Sequence, residues 1–236
     1  MSHLFQNFKD ALSSKSQDMD SFSRCIVALE RRMSICASES IQSERLWEDV
    51  QACEDELREY FWMSGKALLV SPDLRCAALV AAEPAEQENG APAPRPKSYS
   101  KPGLEKTALV AGLFSLNKAL DAAILSGNLN AKGDALVDPM DVYRGMDAEF
   151  GLAMLSNPFK KKLLFEAFEE LGLARPAGGS SAGKVLADEA VVVILPAIKL
   201  LMDPERMAAV VAAAEANKAM RDARTSSSAS QDKEST

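Results

Sequence analysis

Histidine is almost missing from this chain: His3 stands alone among 236 residues. A Ser–His or Cys–His nucleophile pair therefore has no candidate base, and an imidazole-built metal centre has no ligand set. Cysteine is sparse as well. Cys25, Cys36, Cys53 and Cys76 all fall in the first third, with no CxxC pair. That is too few and too scattered for a zinc knot or a secreted disulfide scaffold. The plain reading is four thiols in a reducing compartment. Aromatic residues make up only 6%. No apolar run approaches the roughly 20 residues that cross a bilayer; the longest are residues 77–82 and 190–197. The first twenty residues hold no continuous apolar stretch of signal-peptide type. These absences lead us to expect a soluble, cytoplasmic protein with no membrane span and no cofactor. No segment repeats with a fixed period.

What is present favours helix. Alanine is abundant, and it has the highest helix propensity. The net charge is −7 and the pI about 5.0. A surface of that sign repels a nucleic-acid backbone unless a basic patch overrides it, so nucleic acid is an unfavoured partner.

Proline and glycine do not occur in residues 1–64. There Phe5, Phe8, Leu12, Lys15, Met19, Phe22, Ile26, Leu29, Met33 and Cys36 alternate in spacing between 3 and 4. This is a heptad seam broken only by Lys15. Phe8, Leu12, Met19, Phe22, Ile26, Leu29 and Met33 are its candidate interaction residues. The seam suits a contact with a protein partner or a second copy; it equally suits the core face of one helix. A second set, Leu46, Val50, Cys53, Leu57 and Tyr60, follows out of phase. Either the chain folds back near 37–43 as a helical hairpin, or one long helix carries a stutter. The acids of 44–59 have no histidine beside them and read as a solvated face. Ser71-Pro72-Asp73 reads as a helix start, with a short apolar helix to follow.

Residues 83–103 hold five prolines and two glycines. They read as a flexible linker. Beyond them the pattern is helical again. Leu109, Leu113, Leu116, Leu120 and Ala123 form a broad apolar stripe ended by Ser126-Gly127-Asn128. Asp138-Pro139, Asn157-Pro158 and Asp203-Pro204 each set a capping side chain before a proline, and predict three helix starts. Residues 185–201 include the β-branched run VVVIL. With no second strand in view to pair with it, the run reads as a buried helix broken at Pro196. The last twelve residues have almost nothing to bury.

Two motifs fail on their own terms. Gly178–Lys184 matches GxxxxGK, but Val185 stands where a magnesium-binding Ser or Thr belongs. Asn128–Asp134 resembles a calcium loop, but its twelfth place is Pro139 instead of a bidentate acid. Lys160, Lys161 and Lys162, beside Phe159, are candidate contacts for phosphate or an acidic partner. The expectation is therefore an all-α protein. It comprises a helical hairpin or coiled coil (1–82), a linker (83–103), a helical bundle (104–222) and a tail (223–236). It has no catalytic, cofactor or metal residues. It is expected to be a non-enzymatic adaptor or assembly subunit working through protein–protein contacts. A nucleic-acid-associated regulator and a carboxylate-only enzyme stand as alternatives.

Overall fold

A computed structural model describes residues 8–13, 19–82, 101–131, 133–152, 157–177 and 191–216. Most of the linker 83–103, the tail 223–236 and the GxxxxGK segment lie outside the described residues.

The all-α expectation is overturned. The chain carries two three-stranded antiparallel sheets among its helices, so it is mixed α and β. Helix α1 (residues 8–13) precedes α2 (Met19–Arg32), β1 (Ser34–Cys36), a 3-10 turn (Ala37–Glu39), α3 (Ile41–Ala52), α4 (Glu54–Met63), β2 (Lys66–Ser71) and β3 (Cys76–Ala81). Then come α5 (Lys106–Ser126), β4 (Ala135–Val137), α6 (Pro139–Phe150), α7 (Pro158–Glu170), β5 (Ala174–Pro176), β6 (Val192–Ile194), α8 (Ile198–Leu201) and α9 (residues 204–216). The same succession appears twice: helix, strand, helix, helix, strand, strand. The strand orders are β1-β3-β2 and β4-β6-β5, with the last strand central each time. This order of elements and strands, which is that of a winged helix, is present twice. A repeat of structure is present where no repeat of sequence is.

Three local readings change with it. The expected helical hairpin across 37–43 is interrupted, because β1 stands between α2 and α3. The expected helix after Ser71 is instead the second arm of a hairpin. Ser71 Oγ accepts from Leu74 N at 3.3 Å, and Arg75 N donates to Pro72 O at 3.1 Å. A serine accepting from the amide three residues on serves an ST turn as well as a helix cap, so the local chemistry does not separate the two. Finally, Val192–Ile194 is a central strand. It pairs with β4 (Leu136 with Val193) and with β5 (Arg175 with Val193). Pro176 opposes Val192 where Ala177 N donates to Val191 O. That is a non-hydrogen-bonded position, so the missing proline N–H costs the ladder nothing.

The start signals behave as capping chemistry dictates. The side chains of Asp138, Asn157 and Asp203 accept from Met140 N, Lys160 N and Arg206 N at 2.8, 3.0 and 2.8 Å.

β3 shows how the two units meet. Ala77 and Leu79 face the first unit's core with Ile35, Trp47 and Phe61. Cys76 faces the second unit's core, as does Cys36 from β1. Buried on both sides, the strand loses the polar alternation of a one-sided sheet. Beside these thiols, Ser34 Oγ donates to Leu171 O at 2.6 Å, tying β1 to the turn after α7. Gly172 (φ +70°) lies so close that a Cβ there would come within 2.6 Å of Ser34 Oγ. Helix α5 is the apolar axis of the second unit. By length and composition it could cross a membrane, and 56% of its most apolar window is buried in the protein.

Candidate interaction surface

The heptad residues come together inside the first unit. Phe8, Leu12, Phe22 and Leu29 are buried, and Met19, Ile26 and Met33 pack partly buried against the same core. Phe8 and Phe22 stack with ring centroids 5.5 Å apart, and Tyr60 meets Phe22 edge-on at 6.1 Å. The periodicity thus marks the face that α1 and α2 press against α3, α4 and the sheet.

Lys160 and Lys161, both half-buried, and Lys162, exposed, lie in the first turns of α7. Each has a partner within the chain. Lys160 meets Glu105 at 3.1 Å and Lys162 meets Glu166 at 3.7 Å. Lys161 Nζ lies 5.2 Å from the centre of the Tyr143 ring, within cation–π reach. Lys101 pairs with Glu166 at 3.3 Å and also with Glu170. Of the late acids of α7, unfavourable for its dipole, Glu166 is thus held by lysines from within and outside the helix and Glu170 by Lys101.

The surface that periodicity did not reveal is on α4. In a helix-turn-helix pair the second helix is the one presented to a ligand, DNA in the familiar case. By element order α3 and α4 take the places of such a pair, separated by Cys53 alone. Leu57 and Phe61 fix α4 inward, both fully buried. Outward it shows Asp55, Glu59 and Trp62, spaced 4 and 3 along one face, with Met63 beside them. Trp62 is 57% and Met63 47% exposed. α4 carries four acids against one arginine. That arginine, Arg58, is held by Glu54 at 2.7 Å and by the Leu68 carbonyl at 2.7 Å. Phosphate contacts depend on free Lys and Arg, and this helix offers neither.

The segment read as a failed calcium loop has a structural use. Asn130 Nδ2 and Arg175 Nη2 both donate to Asp134 Oδ2, at 2.9 and 3.0 Å. The Asp134 side chain is 4% exposed. This buried pair fastens the β4 entry to β5. Beside Arg175, a cavity of about 10 Å³ lies between Phe165, Glu169 and Val192, room for about one water. Among the described residues no three His, Cys, Asp or Glu side chains converge to hold a metal ion.

No protein-family model matches the chain, and no curated protein is found to resemble it.

Proposed function

We propose that this protein is a non-enzymatic adaptor of two winged-helix units that docks a protein partner on the outer face of α4. The observation that carries the reading is Trp62, exposed with Met63 beside Asp55 and Glu59 on the helix that a helix-turn-helix unit presents. Tryptophan is the residue most enriched among interface anchors, and surrounding acids select a partner. The partner segment that fits is an apolar anchor flanked by Lys or Arg. The heptad residues of α1 and α2 pack in the core beneath this surface. Nucleic acid is disfavoured by the acids of α4 and by the intramolecular partners of Lys160–Lys162. As part of the same proposal we place the protein in the cytoplasm, where thiols are mostly reduced and a disulfide forms only transiently.

Photo-crosslinking in the native cell tests this. A photoreactive residue at position 62 is expected to capture a protein, and one at Leu125, 88% exposed on α5, is not. With the captured partner in hand, Trp62→Ala is expected to weaken binding by about 30-fold or more. Its effect on folding stability should stay within about 0.5 kcal/mol. Capture of nucleic acid at position 62, or equal capture from both positions, contradicts the proposal.

A further inference from the structure

We propose that Cys36 and Cys76 are a dithiol–disulfide couple at the junction of the two units, closed by exchange with a small-molecule disulfide such as oxidised glutathione. The strand register sets Cys36 opposite Cys76 in the β1–β3 pair. Ala37 N donates to Arg75 O at 3.0 Å, one residue beyond this pair. That pattern marks Cys36 and Cys76 as a non-hydrogen-bonded pair, whose Cα atoms approach to about 4.5 Å with side chains on one face. The separation falls at the short end of the range that a disulfide spans, about 4.4–6.8 Å. Both side chains lie in the same core, and the Cys76 S–H donates to Leu74 O at 3.2 Å.

Access controls the rate. Both thiols are buried in the core shared with the second unit. The Cys36 thiol close beside it, and then burial, push the Cys76 thiol far above its ordinary range. Exchange therefore waits on opening of the junction, where β1 is a three-residue strand at the sheet edge. Once open, one cysteine thiolate attacks a sulfur of the small disulfide and releases one thiolate. The second cysteine thiolate attacks the protein sulfur of the mixed disulfide. The Cys36–Cys76 bond forms and the second small thiolate leaves. The two protons lost by the cysteines match the two gained by the leaving thiolates, and two electrons pass to the small disulfide. The product pins β1, the strand carrying the Ser34 contact to Leu171, onto β3. Redox state thereby sets how firmly the units hold together. Cys25 and Cys53 offer an internal comparison. They lie in the other core, outside any strand ladder, and burial, then the Asp49 carboxylate, pushes the Cys25 thiol up to about 12.

The test is incubation of the full chain with excess oxidised glutathione, followed by intact mass and non-reducing peptide mapping. The expected product is lighter by about 2 Da, with the peptides of Cys36 and Cys76 linked. Closing a loop of about 40 residues is expected to raise Tm by about 5–10 °C, reversed by dithiothreitol. In Cys36→Ala the oxidant should leave Tm unmoved; should that variant not fold, mapping of the native chain decides alone. Stable glutathione adducts without a bridge, a Cys25–Cys53 bridge in preference, or no bridge after prolonged incubation at 37 °C overturns the proposal.

Discussion

Phe168→Ala is expected to lower the free energy of unfolding by about 3–5 kcal/mol, read by urea denaturation followed in circular dichroism. Phe168 is fully buried on α7. Its ring meets Phe165 edge-on with centroids 5.2 Å apart, and its outer edge lies against the backbone of α5 at Gly112. Alanine removes the whole ring from a site with rigid neighbours on both sides, so the cavity cannot collapse fully. The helix itself is not at risk, since alanine favours helix over phenylalanine by a few tenths of a kcal/mol. A loss below about 1 kcal/mol would place α7 away from the core.

Gly112→Val tests the same contact from the other helix. A Cβ at 112 would stand 2.6 Å from Leu164 Cδ1 and 3.0 Å from Phe168 Cζ. Glycine inside a helix costs roughly 1 kcal/mol against alanine, so its presence here needs a reason. The reason is the close approach of α5 and α7. Valine adds three carbons, branched at Cβ, to a filled site, and the expected loss is about 3 kcal/mol by the same denaturation. Gly112→Ala should lose less, because its propensity gain offsets part of the overlap. In a Phe168→Ala background the contact at 3.0 Å is gone and the Leu164 side chain, at 2.6 Å, can move into the vacated space, so the cost of alanine at 112 should shrink or change sign. That coupling between positions 112 and 168 is a direct reading of helix contact.

How much of this was legible in the sequence depended on where each element is buried. Helices α6, α7 and α9 begin at Asp-Pro and Asn-Pro because caps and prolines act locally. The heptad residues are buried together, but the pattern fixed only the face of α1 and α2, leaving what covers it open. The strands were hidden for a physical reason. β3 has a core on either side and β6 is central in its sheet, so CAAL and VVI show no polar alternation and resemble the interior of a helix. A hairpin signal was nonetheless present. KALLVS and CAALVA are two six-residue apolar segments around Pro72-Asp73, and the first follows Gly65. They reveal a sheet in the first unit only; the partners of VVI are ALV and ARP, three-residue strands of the other sheet. The duplication was out of reach because its strands are three to six residues long and the two units share a topology without sharing side chains. Trp62 showed in the sequence only as bulk at a helix end. Its exposure follows from Leu57 and Phe61 pointing inward, which only the packing of α4 on the sheet determines.

Everything proposed for α4 and for the cysteine pair stands on the duplicated order of strands. Nuclear magnetic resonance of the full chain tests that most directly, through Hα–Hα contacts across non-hydrogen-bonded pairs. The expected result is contacts between Ser34 and Ala78 and between Cys36 and Cys76 in one sheet, and between Leu136 and Val193 and between Ala174 and Ile194 in the other. Helical chemical shifts across residues 66–81 and 191–195, with those contacts missing, would contradict it.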